Sequence, residues 1–186
     1  IRYKIELSLD PNSHIYGGKE EIELNIEKET KEIILNSLDL EILSASFCQE
    51  NTCLLIKKIS YAKKTHKVIF AFSSKLTKGN AHLTIRFKGK LKNDLRGFYK
   101  SEYTSPDKIK KILAATQFEP HDARTCFPCF DEPDFKANFE ISLRIPKELT
   151  AISNMPIKQE KVNGNTKTVE FYETPKCSTY LIVFLV

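Results

Sequence analysis

No run of eighteen or more apolar residues occurs in the 186-residue sequence, so no segment reads as a membrane-spanning helix. The nearest approach is "YLIVFLV" at 180–186, which has the length of a buried strand. A long stripe of apolar residues at the helical period is also missing, and with it any βαβ pattern. Internal repeats, low-complexity tracts and linker-like stretches are absent, so one domain over 1–186 is the simplest organisation. No signal-peptide layout precedes the opening "IRYKIELSLD", which begins directly in a strand pattern. With an apolar strand at the other end, the sequence reads as a piece of a longer chain. No asparagine sits in an N-x-[ST] sequon. The five cysteines, Cys48, Cys53, Cys126, Cys129 and Cys177, are odd in number and irregular in spacing, a poor disulfide framework for a secreted domain. These absences point to a reducing, cytoplasmic setting, with Cys48–Cys53 the pairing to check should that be wrong.

Concentrated basic charge is lacking as well. The net charge is +5, but the lysines are scattered or in doublets (Lys57–Lys58, Lys63–Lys64, Lys110–Lys111) with acidic residues among them. A nucleic-acid surface would cluster cations with aromatics at base-stacking spacing; this distribution is that of a solvated face. The apolar fraction of 41% and charged fraction of 28% are those of an ordinary globular core and surface.

What is present is a period of two. Tyr3, Ile5, Leu7 and Leu9 alternate with polar residues, as do Ile22, Leu24 and Ile26 within 21–27. The pattern returns at Val68, Phe70 and Phe72, at Leu83, Ile85 and Phe87, and at Phe139, Ile141, Leu143 and Ile145. Strict alternation sets one face on a core and the other in water, the mark of antiparallel sheet. Turn signals separate the runs: "DPNS" at 10–13, "GG" at 17–18, "KGN" at 78–80 and "NGN" at 163–165, the last at the tip of a hairpin. The best helical segment is 107–116, "DKIKKILAAT"; a strand running into "TQFE" fits it equally. Many short strands with frequent turns imply an all-β fold, an antiparallel β-sandwich or open barrel.

One stretch departs from this pattern: "TQFEPHDARTCFPCFDEP" at 116–133. His121, Cys126 and Cys129, with Asp131 nearby, offer three metal ligands. Structural zinc sites use four well-placed ligands, and His14, His66 and His82 supply no paired spacing. Cys126 and Cys129 also form a CxxC, but a redox CxxC opens a helix in a βαβ setting that is missing here, so two small cysteines packed under a turn fit better. Pro120, Pro128 and Pro133 make a corner. If 112–119 is extended, Gln117 and Glu119 project from one face and Phe118 from the other. An amide and a carboxylate side by side suit a cationic or hydrogen-bonding ligand; a solvated strand end is the plain alternative.

The stretch "TQFEPHDARTCFPCFDEPDFKANFEISL" resembles the N-terminal domain of the aminopeptidase N-type zinc aminopeptidases, the family of the puromycin-sensitive and glutamyl aminopeptidases. "RYKIELSLDP" at 2–11, "GFYKSEY" at 97–103, "AISNMP" at 151–156 and "TPKCSTYLIVFLV" at 174–186 agree in order and spacing, so the likeness covers essentially the whole chain. The resemblance implies a saddle-like N-terminal β domain that precedes a thermolysin-like catalytic domain bearing H-E-x-x-H and zinc. No "HE" dipeptide occurs here, so this chain carries no zinc motif and is expected to be inactive alone. The family's T-Q-x-E pattern falls on Thr116, Gln117, Phe118 and Glu119. It implies that Glu119 helps bind the free α-amine of a peptide substrate and that Gln117 lines the same pocket, while zinc and the general base belong to the next domain. Asp131, Glu132 and Pro133 match the family and read as turn-forming. His121, Cys126, Asp134 and Cys177 depart from its usual residues and leave local packing open. Two other readings remain: a non-catalytic scaffold of the same architecture, and a peptide-binding module acting through an exposed sheet edge.

Overall fold

Every period-two run becomes a strand in the computed structural model, which describes residues 1–50 and 52–186. In chain order the strands are β1 (Arg2–Ser8), β2 (Ile15–Ile26), β3 (Thr30–Asn36), β4 (Glu41–Gln49), β5 (Thr52–Leu54), β6 (Ile56–Ala62), β7 (Lys67–Leu76) and β8 (Gly79–Lys90). They continue with β9 (Gly97–Thr104), β10 (Lys110–Gln117), β11 (Asn138–Pro146), β12 (Ile152–Ser153), β13 (Ile157–Asn163), β14 (Thr166–Phe171) and β15 (Phe184–Leu185). Helical structure among the described residues is confined to 3₁₀ turns at Lys63–Thr65, Ala123–Thr125 and Thr179–Leu181. Among the described residues no helix is long and apolar enough to cross a membrane.

The strands form three sheets. The largest runs β13-β14-β11-β1-β2-β8-β4-β5, a second runs β12-β15-β10-β9, and a third runs β3-β7-β6. None is closed into a barrel, and the all-β sandwich expectation holds. Among the described residues the strand-to-strand pairing is antiparallel except that β1 and β11 run parallel, from Arg2 opposite Asn138 to Ser8 opposite Arg144; an isolated parallel bridge also joins Lys92 to Tyr99. Strands more than a hundred residues apart need no hairpin between them, so the short-turn logic that favours antiparallel neighbours does not constrain this pair.

Alternation places Tyr3, Ile5 and Leu7 of β1 and Phe139, Ile141, Leu143 and Ile145 of β11 in the core. Phe70 and Phe72 of the third sheet and Phe98, Phe118 and Phe184 around the second join the same buried cluster. Tyr3 stacks on Phe139 with ring centroids 5.0 Å apart, and Phe98 meets Phe184 edge-on at 5.2 Å. Such pairs add to area burial through the ring quadrupoles.

Three sequence expectations change. Of 107–116, left open between helix and strand, residues 110–116 are strand, because β10 pairs with β9 along its whole length, Lys110 opposite Thr104 to Gln117 opposite Gly97, while 107–109 belong to the turn before it, with Lys108 at φ 64. The "GG" at 17–18 is not a turn but lies inside β2. At Gly18 a Cβ would collide with the Phe87 ring, so the missing side chain makes room for an aromatic across the ladder. The apolar run at 180–186 is only partly strand: a 3₁₀ turn takes its start, and β15 sits between β12 and β10.

Cys48 and Cys53, directly opposite each other in the β4–β5 hairpin, form a disulfide. This differs from the expectation of free thiols throughout. Cys126, Cys129 and Cys177 are free.

Candidate functional site

Strand β10 ends at Gln117, and Glu119 lies two residues beyond it in a turn. Thr116 is buried, and its hydroxyl accepts the Phe184 N–H at 3.1 Å. Phe118 is buried between Phe127 and Phe184, with ring centroids 6.0 and 6.2 Å away. Gln117 and Glu119, the alternate positions, are both exposed. Thr116 and Phe118 anchor the strand end in the core, while Gln117, the last residue of β10, and Glu119, in the turn that follows, both reach solvent. Neither side chain makes a hydrogen bond or ion pair among the described residues. The Glu119–Pro120 peptide bond is cis. Beyond it the Asp122 N–H donates to the Phe118 carbonyl at 2.7 Å, closing a turn around Glu119, Pro120 and His121.

The loop from 118 to 137 contains one 3₁₀ turn and little other regular structure, yet it is tied down at many points. Arg124 donates from Nε to the Asp131 carboxylate at 2.8 Å, from its backbone N–H to the same oxygen at 3.2 Å, and from Nη2 to the Asp131 carbonyl at 2.9 Å. Thr179 donates its hydroxyl to the other Asp131 oxygen at 2.7 Å, and the Asp131 N–H donates to Asn36 at 3.2 Å. The Asp131 side chain is 1% exposed and that of Arg124 13%. A buried charge of this kind persists because it is paired and hydrogen-bonded on every side.

Two core tyrosines support the loop from below. The Tyr16 hydroxyl lies 2.9 Å from the Cys126 carbonyl and 3.1 Å from that of Thr125, and the Tyr3 hydroxyl accepts the Phe130 N–H at 3.0 Å. Burial pushes both phenols well above their ordinary range, so both remain neutral. Gly97, opposite Gln117, has φ +68, and a Cβ there would overlap the Thr125 hydroxyl. Only glycine meets both demands without strain.

Other candidates do not converge. His121 is exposed, whereas Cys126 and Cys129 are fully buried, so the three are not a ligand set. Burial pushes both thiols well above their usual range, the opposite of what a redox thiolate needs. Glu132 and Pro133 are exposed and the Phe135 N–H returns to the Glu132 carbonyl, a turn as expected. Asp131 is more than turn-forming, since it is the buried acceptor that holds Arg124. Among the described residues one trio, Glu21, Glu23 and His82, brings metal-ligating atoms within 4.8 Å of one another. It lies half-exposed on the large sheet, with Glu23 already paired to Arg2 at 3.2 Å and His82 3.3 Å from Glu21. These residues do not fit a resident zinc, which calls for ligands free of competing cations and four tight positions.

Arg124, Arg96, Gly97 and the buried Glu20 were not singled out from sequence. Arg96 contacts Asp122 at 3.1 Å across 26 residues. Only for Glu20 was a local signal present: the alternation of 21–27, carried back two residues, puts Glu20 on the side of Ile22. The glycine pair just before it disguised the continuation of β2.

With this geometry in hand, comparison with known proteins is specific. Residues 1–181 match the family model of the peptidase M1 N-terminal domain. The chain is 40% identical over 189 residues to aminopeptidase M1 of Arabidopsis thaliana and 39% identical over 185 residues to aminopeptidase M1-D of Oryza sativa subsp. japonica. All of this chain is covered in both cases, against 21% of each relative. It is 34% identical over 187 residues to the puromycin-sensitive aminopeptidase of Caenorhabditis elegans, covering 99% of this chain and 20% of that protein. The chain belongs to the peptidase M1 N-terminal domain family. It spans about a fifth of the length of these relatives.

Proposed function

We propose that residues 1–186 are one N-terminal β domain of a zinc-dependent aminopeptidase that removes the first residue of peptides, and that Glu119 and Gln117 form this domain's part of the α-amine site. The zinc, the attacking water and the general base belong to a catalytic domain of the same parent chain, so this domain alone is inactive. The observation that carries the reading is the strand end itself. Two hydrogen-bonding side chains are exposed together on a firmly tied backbone, with no partner of their own among the described residues. A peptide N-terminus is an ammonium near neutral pH, and its charge-assisted hydrogen bonds to a carboxylate are short and strong. Glu119 accepts from that ammonium, and the Gln117 amide oxygen offers a further acceptor beside it. Internal peptide bonds present no such cation, which restricts cleavage to chain ends.

The test is kinetic, in the full-length parent enzyme. Glu119→Ala lowers kcat/KM about ten- to a hundred-fold, chiefly through KM, since a hydrogen bond to a charged group is worth on the order of 1.5–3 kcal/mol. Kinetics equal to the parent's would refute the assignment. A scaffold of the same architecture would lack H-E-x-x-H downstream, and the parent sequence decides that directly.

The cytoplasmic setting is proposed on the missing sequons and the odd cysteine count. The Cys48–Cys53 bond stands against it, because such bonds persist in oxidising compartments.

A further inference from the structure

Glu119 sits on a turn of three residues, Glu119 to His121, closed by the Asp122 N–H on the Phe118 carbonyl. Asp122 is the hub of that closure. Its carbonyl accepts the Thr125 hydroxyl at 2.7 Å and the Thr125 N–H at 3.0 Å. Its carboxylate accepts Nε and Nη2 of Arg96, at 3.2 and 3.1 Å, both on one oxygen. Arg96 precedes Gly97, the residue opposite Gln117 on β9. The pair therefore joins the start of β9, which fixes Gln117, to the turn that presents Glu119. The Asp122 side chain is 14% exposed and the Arg96 side chain 59%, so the acceptor is sheltered while the cation comes from solvent.

We propose that Asp122, held by Arg96, is the positioning residue for Glu119, setting the carboxylate against Gln117 so that both meet one ammonium. The inference rests on the amine-site reading above. The physical demand is geometric. A charged hydrogen bond weakens steeply with misalignment, so a carboxylate turned away from the ammonium loses much of its hold on the substrate. The residue before a proline has few backbone conformations open to it, so Glu119 follows the turn as a unit, and the clamp on Asp122 moves or holds the whole unit. Surface exposure of Arg96 means that its loss leaves the core network of Arg124, Asp131 and Thr179 intact.

The experiment is a double-mutant cycle in the full-length parent enzyme with a peptide substrate bearing a free N-terminus. Arg96→Ala and Asp122→Asn each raise KM about three- to ten-fold with kcat nearly unchanged, and Arg96→Lys recovers part of the loss. In a Glu119→Ala background the same substitutions have no further effect on KM. A merely structural role would lower the active fraction, and so kcat, equally in both backgrounds. If Glu119→Ala is itself silent, the amine-site reading fails and takes this proposal with it. If Glu119→Ala is impaired but Arg96→Ala and Asp122→Asn are silent, or act equally in both backgrounds, the positioning role alone is overturned.

Discussion

Replacing Glu20 tests how the core tolerates a carboxyl group. Glu20 lies on β2 between Ile5 of β1 and Ile85 of β8, in a row completed by Ile141 and Ala45. It is fully buried, and neither carboxyl oxygen has a hydrogen-bond partner among the described residues. Desolvation pushes its pKa well above the usual carboxylate range. The groups whose titration it influences, Tyr3, Cys126 and Cys129, are themselves held neutral by burial. A neutral carboxylic acid is the form that survives in such a place.

The consequence for stability has a definite sign. Above the unfolded carboxyl pKa of about 4.3, the unfolded chain releases the proton while the folded chain keeps it. The folded state then binds more protons, so stability falls as pH rises, by about 1.4 kcal/mol per pH unit, until the folded pKa is reached. At neutral pH the loss attributable to Glu20 is limited by the pH interval above the unfolded pKa, and so amounts to at most a few kcal/mol, at about 1.4 kcal/mol for each pH unit. Glu20→Gln keeps the shape and the polarity but cannot ionise. Urea unfolding of the 1–186 chain at several pH values from about 4.5 to about 7.5 should give nearly equal stabilities at the acid end and a glutamine variant more stable by about 2–4 kcal/mol at the neutral end. Glu20→Leu should be more stable than both at neutral pH, since it also removes the buried polar atoms. Parallel stability curves for the parent chain and the Glu20→Gln variant over that range would refute the buried neutral carboxyl.

Asp131→Ala leaves the largely buried Arg124 without its anion, and breaking one side of a buried pair costs about 3–5 kcal/mol; a change below about 1 kcal/mol in urea unfolding would show that the network is dispensable. Thiol counting in denaturant before reduction should find three of the five cysteines, and in the native state Cys126 and Cys129 should stay silent to alkylating reagents. Five thiols before reduction would place Cys48 and Cys53 in the reduced state and favour the reducing compartment.

Much of the architecture was legible locally. Alternation is a property of a few consecutive residues, and it assigned β1, β2, β7, β8 and β11 because each has one face on the core. The same local rule put Gln117 and Glu119 on one side and Phe118 on the other. Periodicity could not decide 107–116, where two or three apolar positions fit either period; pairing with β9 decided it. The CxxC and His121 drew chemical readings because sequence proximity resembles spatial proximity, yet burial separates the cysteines from the exposed imidazole.

The sequence by itself determined the all-β class, the family likeness and the position of the exposed amide and carboxylate, because these rest on short-range patterning and on a long uninterrupted motif. Tertiary structure alone decided the parallel joining of β1 to β11, the burial of Glu20 across three strands, and the clamps Arg96–Asp122 and Asp131–Thr179, whose partners lie 26 and 48 residues apart. The physical reason is that burial and ion pairing depend on which distant strands become neighbours, and no local pattern carries that information.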